Sequence, residues 1–206
     1  MAKINPNRME LLKLRRRAQM AKRGHKLLKD KLDELLRRFL ALIGKAGSGR
    51  ADIEKALAEA FGVLAIARGE GGTLVITEAL AGTGPPTTVE VGLENLLSIK
   101  VPTFTIPQVA VSIKYSLATT PAVLDSAVTG FEAILEPLVS LAQLEKTIQL
   151  LALEIDKTRR RVNALEYILI PQLEGSIKQI NMSLSEQERA NLTRVMKIKE
   201  MLEARK

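Results

Sequence analysis

Hydrophobic residues recur along this chain in two long runs that alternate steps of three and four. Near the start, Leu11, Leu14, Ala18, Ala21, His25, Leu28, Leu32, Leu35, Phe39 and Leu42 keep the alternation without a slip. Far downstream, Ile148, Leu151, Ile155, Thr158, Val162, Leu165 and Leu169 repeat it. Such steps put every marked residue on one narrow side of an α-helix, the geometry of a coiled-coil seam rather than of a broad globular face. A lone helix cannot bury that stripe, so each run needs a partner of comparable length, and the two runs suit each other. The expected fold is mainly α: a long antiparallel two-helix coiled-coil hairpin from the N- and C-terminal helices, with a small β-containing head in the middle of the chain.

The flanking residues predict the borders. Asn5-Pro6 reads as an N-cap followed by Pro at the first helical position, where its missing N–H costs nothing, so the first helix is expected over 4–68. Beyond Leu42 its seam continues in smaller residues, Ala46, Gly49, Ile53, Ala56, Ala60, Val63 and Ala67. That half should pack more loosely, with Gly44, Gly47 and Gly49 as the places to bend. Over 69–119 the pattern changes. GEGG and GTGPP are turn punctuation, and TLVIT, TTVEV, LLSIKV and VAVSIKY are short β-branched runs. Pro102 and Pro107 argue against a long central strand there. Thr120-Pro121 repeats the capping device and predicts a second long helix over 120–203. Pro137 and Pro171 lie inside it, each removing a backbone hydrogen bond and predicting a kink at a cost of ~3 kcal/mol. After Leu169 the apolar positions step by four and four through Leu173 and Ile177, then on to Ile180 and Leu184, a local change of winding beside Pro171. Each Leu, Ile or Phe buried on the seam contributes roughly 1.5–3 kcal/mol, so a dozen of them outweigh two prolines.

Composition narrows the picture. Aromatics make up 3% of 206 residues and Trp is absent, yet 46% are hydrophobic, which suits interdigitating helices better than a thick core. Without Cys there are no disulfides or thiolate metal sites. No run approaches 18 consecutive apolar residues and MAKINPNRMELLKLRRR has no signal-peptide segment, so the expectation is a protein without a membrane span, soluble or peripheral to a membrane. The net charge of +8 is unevenly spread. Residues 1–45 carry 14 Lys/Arg against 4 acids, residues 46–145 carry 5 against 11, and residues 146–206 carry 12 against 8. If the ends pair, one pole is strongly basic and should attract an acidic surface.

Candidate chemistry is sparse. His25 is the single His and sits on the seam, where a polar residue commonly sets register rather than binding a metal. Gly44 and Gly49 have the separation of a phosphate loop, but Arg50 and Ala51 stand where Lys and Ser/Thr are required, and a helix leads in. Ser48, Ser98 and Ser112 have no base to activate them, and Glu145 and Glu154 suit helix-surface ion pairs. No catalytic residue, metal site or cofactor is expected. Two basic belts remain: Lys13, Arg15, Arg16 and Arg17 on the first helix, and Lys157, Arg159, Arg160 and Arg161 on the second. Consecutive helical residues fan out by about 100°, so three successive arginines cannot all face the seam. They are either a solvated face or an interaction belt for acids on another protein.

Four blocks carry a resemblance: NPNRMELLKLRRR near the start, RGHKLLKDKLDEL at 23–35, SIKVP at 98–102 and EKTIQLLALEIDKTRRRVNALEYILIPQLE at 145–174. Together they resemble the D subunit of the V-type (A/V-type) rotary ATPase family, while the Ala- and Gly-rich span from Ala46 to Glu94 departs from it. The resemblance implies a non-catalytic central rotor stalk whose two termini enter a hexamer of catalytic and non-catalytic subunits (A and B). It implies further contact with the small rotor F subunit and with a membrane-ring adaptor of the C/d type, and a place peripheral to the membrane. The rival readings are a basic coiled coil that binds nucleic acid, disfavoured by the few aromatics, and a self-assembling scaffold.

Overall fold

The computed structural model describes residues 7–81, 88–107 and 115–204. In chain order they form α1 (Arg8–Gly71), α2 (Thr73–Ala81), β1 (Glu90–Leu96), β2 (Ile99–Thr105), α3 (Val123–Ala164), a π-helical turn (Leu165–Leu169) and α4 (Ile170–Glu203). The fold is mainly α, with one two-stranded antiparallel sheet in the middle of the chain. The expected start at Asn5-Pro6, the whole of GTGPP, Ser112 and VAVSIKY up to Lys114 lie outside the described residues. Two compact units divide the chain: Met1–Glu34 with Asp156–Lys206, and Leu35–Ile155.

In the unit formed by the chain ends, Leu11, Leu14 and Ile180 make a buried cluster, with Leu173, Ile177 and Leu184 packed against it. In the central unit, Ile53, Ala60 and Ile134 cluster with Ala56, Leu57, Phe131 and Leu141. Small residues let the helices approach closely there: a Cβ on Gly130 would lie 3.6 Å from the Ala60 methyl. α1 runs unbroken through Gly44, Gly47 and Gly49.

Two expectations about the head are corrected. TLVIT is not a strand but the body of α2. Gly72, at φ +79°, reverses the chain, and α2 leaves α1 at 117°. The turn drops Ile76 into a fully buried position beside Ala67 and Leu124. Burial on one side of a short helix outweighs the β-propensity of Val and Ile, which is a weak preference. Thr120 does not cap α3 either. Its hydroxyl donates back to the Ser116 carbonyl at 2.8 Å, a turn from Pro121 to Leu124 follows, and the helix begins at Val123.

The hairpin pairs Glu90 with Thr105 through Leu96 with Ile99, and Leu97-Ser98 form its two-residue turn. Pro102 is tolerated because each strand of a two-stranded sheet has a free edge. Val101 is buried, and the Phe104 N–H donates to Gln143 Oε1 on α3 at 2.9 Å, which ties the hairpin to the helix.

The π-helical turn corrects one seam position. Ile170 donates its N–H to the Leu165 carbonyl, five residues back. One extra residue is thereby taken up within the turn. Leu169, expected on the seam, is 41% exposed, and Ile170 is half-buried in its place. With that insertion the seam reads Leu165, Ile170, Leu173, Ile177, Ile180, Leu184, and the three-four alternation resumes. Pro171, which has no N–H to give, stands in the first turn of α4, immediately after the interruption.

Candidate partner-binding surface

The unit formed by the chain ends carries the two basic belts. The register of α1 against α4 is legible in polar contacts. Arg8 pairs with Glu188, Arg15 donates to Asn181 Oδ1 at 3.3 Å, and Lys22 pairs with Glu174 at 2.6 Å. Each advance of seven along α1 is met by a retreat of seven along α4, so the helices run antiparallel with one heptad per rung. His25 follows, with Nε2 3.2 Å from Glu166 Oε2 in the π-helical turn.

The seam positions are covered. Leu11, Leu14, Leu35, Leu151 and Val162 are buried; His25, Leu28, Leu32, Phe39, Leu42, Ile148, Ile155 and Leu165 are half-buried. The belt residues Lys13, Arg15, Arg16, Arg17, Lys157, Arg159, Arg160 and Arg161 are all exposed. Three of them have contacts within the chain: Lys13 with Glu10 at 3.8 Å, Arg15 with Asn181, and Arg160 with Asp156 at 2.7 Å. Among the described residues, Arg16, Arg17, Arg159 and Arg161 make no ion pair. This unit holds 22 Lys/Arg against 11 Asp/Glu, whereas the central unit holds 9 against 12. Uncompensated guanidinium groups on a rigid helix face are suited to bidentate contact with carboxylates of another molecule.

One feature was missed in the sequence. α4 continues beyond Glu188, the level of Arg8, and exposes Leu192, Val195, Met196, Ile198, Met201 and Leu202, each more than half. The signal was available: the antiparallel arrangement leaves the last fifteen or so residues with no opposing length of α1. Among the described residues, no group of three or more His, Asp or Glu side chains could hold a metal ion. The Ser48 hydroxyl is spent on the Gly44 and Lys45 carbonyls of its own helix.

Comparison with known proteins decides the family. The family model for the D subunit of ATP synthase matches residues 10–200. The chain belongs to that family. It is 46% identical over 204 residues to the V-type ATP synthase D subunit of Thermoanaerobacter sp. (strain X514), covering 98% of both chains. It is 47% identical over 205 residues to the V-type ATP synthase D subunit of Clostridium botulinum (strain ATCC 19397 / Type A), covering 97% of this chain and 95% of the relative. Membership extends through the span from Ala46 to Glu94, where the amino acids depart from the expected pattern but α1 stays helical to Gly71.

Proposed function

We propose that the chain is the central rotor shaft of a rotary V/A-type ATPase, transmitting torque between a nucleotide-processing hexamer and an ion-translocating membrane ring. The family supports the place in the complex, and the heptad ladder of Arg8, Arg15 and Lys22 against α4 is the observation that carries the mechanical reading. A shaft must resist slip between its own helices and yet let go of the proteins around it. Interlocked apolar residues supply the first property. Exposed charges supply the second, since a surface ion pair contributes only about 0–1 kcal/mol and can be exchanged as the shaft turns.

In this reading the chain itself does no chemistry. The hexamer of A and B subunits binds and processes nucleotide, and the arginine belts meet acids on its inner wall. The overhanging apolar end of α4 enters the same cavity. The small rotor F subunit and the C/d-type adaptor hold the central part of the chain, and the protein works on the cytoplasmic side, peripheral to the membrane. A different set of contacts at each hexamer interface biases each interface toward a different state, as differential contact requires. Neither a nucleic-acid nor a scaffold role has an observation in its favour.

Co-expression with the hexamer subunits, followed by pull-down and an ATPase assay with and without this chain, tests the proposal. Stable co-purification and a change in turnover are expected. A hexamer that neither retains the chain nor responds to it overturns the reading. Replacing Arg159, Arg160 and Arg161 together with Ala should weaken retention or coupled turnover several-fold; unchanged torque and ion-coupled activity would remove that belt from the mechanism.

A further inference from the structure

The hairpin has one edge that its own fold uses and one that it leaves open. In an antiparallel pair, opposed residues alternate between those that exchange two backbone hydrogen bonds and those that exchange none and turn theirs outward. Phe104 fixes the phase, because its N–H donates to Gln143 Oε1 on α3 at 2.9 Å and so points away from β1. Its partner Val91 therefore turns its N–H and C=O to the opposite edge, and so do Leu93, opposite Pro102, and Asn95, opposite Lys100. The outer edge of β2 is closed to a further strand, since Pro102 has no N–H and that of Phe104 is taken. The outer edge of β1 is open. Among the described residues no hydrogen bond reaches Val91, Leu93 or Asn95 there, and β1 is exposed from Glu90 to Asn95.

The side chains of that strand identify what fits. One face of β1 presents Val91 and Leu93, 65% and 73% exposed, and the other presents Glu90 and Glu94 on either side of Gly92. Neither glutamate has an ion pair among the described residues. An apolar edge with open backbone groups is a template for pairing with another chain. We infer that the β1 edge receives an extended segment of another protein of the complex as a third strand, one in which apolar residues alternate with Lys or Arg. Its apolar side chains lie beside Val91 and Leu93, its cations beside Glu90 and Glu94, and its backbone bonds to Val91, Leu93 and Asn95.

The inference goes beyond the shaft reading and rests on it only for the presence of other proteins. Through Phe104 and Gln143 a captured strand is anchored to α3 rather than to a loose loop. A second copy of this chain is a poor occupant. Two β1 strands laid antiparallel, with Val91 facing Leu93 or Leu93 facing Asn95, set Glu90 against Glu94 or Glu94 against Glu94. With Leu93 facing itself, the two Glu94 side chains lie diagonally across the pair. Like charges so placed destabilise a sheet, whereas Lys or Arg opposite the same glutamates stabilises it.

Amide hydrogen exchange in the full chain, alone and co-expressed with the other proteins of its complex, tests this. On assembly the N–H groups of Val91, Leu93 and Asn95 should slow by roughly tenfold or more, while those of Gly92 and Glu94, already committed to β2, should change little. A photo-crosslinking residue at Val91 should join an extended segment that alternates apolar residues with Lys or Arg. Leu93→Pro removes an outward donor directly across from Pro102, so the hairpin should persist while the protection and the cross-link are lost. Glu90→Lys with Glu94→Lys leaves the backbone intact and should weaken the cross-link several-fold. If Leu93→Pro unfolds the hairpin, seen as lost protection at Gly92, the charge-reversed variant decides. Unchanged exchange on assembly, a full cross-link in the charge-reversed variant, or a cross-link to a helix or to a second copy would overturn the inference and leave the shaft reading standing. Failure of the wild-type chain to assemble with the complex would overturn both.

Discussion

Lys22 on α1 and Glu174 on α4 close an ion pair of 2.6 Å, one heptad along from Arg15 with Asn181 and two from Arg8 with Glu188. Regular spacing across a helix pair means that neither helix slips or unwinds over those two heptads. The side chains of this rung are more than half exposed, so the pair records the register more than it creates it. The register comes from Leu11, Leu14 and Ile180 beneath it.

Truncating the seam should therefore cost far more than cutting the ladder. Leu35 and Leu151 are each fully buried. Leu35→Ala or Leu151→Ala should destabilise the chain by about 2–5 kcal/mol through lost transfer energy and a residual cavity. Lys22→Ala should move the urea midpoint hardly at all. Equal midpoints for Leu151→Ala and Lys22→Ala would contradict the assignment.

Two glycines on α1 should respond in opposite directions to the same substitution. A Cβ on Gly71 would sit 2.8 Å from Pro121 Cδ and 3.2 Å from Ile76 Cδ1, while a Cβ on Gly44 meets nothing within 4 Å. Gly71→Ala should destabilise by roughly 1–3 kcal/mol, as overpacking does. Gly44→Ala should stabilise by about 0.5–1 kcal/mol through helix propensity. Thermal melts of the two variants read the sign directly.

The hairpin turn stores strain that can be removed. Leu97 and Ser98 hold φ of 52° and 72°, a left-handed pair that two-residue hairpins normally give to Asn-Gly. Leucine in that region costs roughly 1–2 kcal/mol. Leu97→Asn with Ser98→Gly should raise the melting temperature, with the hairpin resonances preserved in NMR. A lower melting temperature would mean that the half-buried Leu97 side chain contributes more than the strain costs.

Alkaline pH should loosen the central unit through Tyr115. Its hydroxyl donates to Asp125 Oδ1 at 2.5 Å, and burial, that hydrogen bond and the carboxylate's charge push its pKa from 10.0 up to about 12. The folded chain thus keeps this proton where the unfolded chain has lost it. The stabilisation is complete below about pH 10 and disappears as pH rises toward 12. Urea unfolding between pH 9 and 12 should show this slope in the native chain and not in Tyr115→Phe.

Local periodicity by itself determined that the fold is mainly helical. Seam residues from Leu11 to Ala67 and from Ile148 to Leu165 were legible because a coiled coil repeats one contact, so a residue's place in the step pattern already determines its neighbours. The belts were legible as exposed for the same reason: Arg159, Arg160 and Arg161 cannot all turn inward. Tertiary structure alone decided the rest. TLVIT became a helix because the fold offered Ile76 a buried site beside Ala67 and Leu124, more than 40 residues apart in the chain. Leu169 left the seam because a π-helical turn took up one residue ahead of Pro171. Periodicity reports what a helix offers to a partner, but only the packed partner determines which offers are taken.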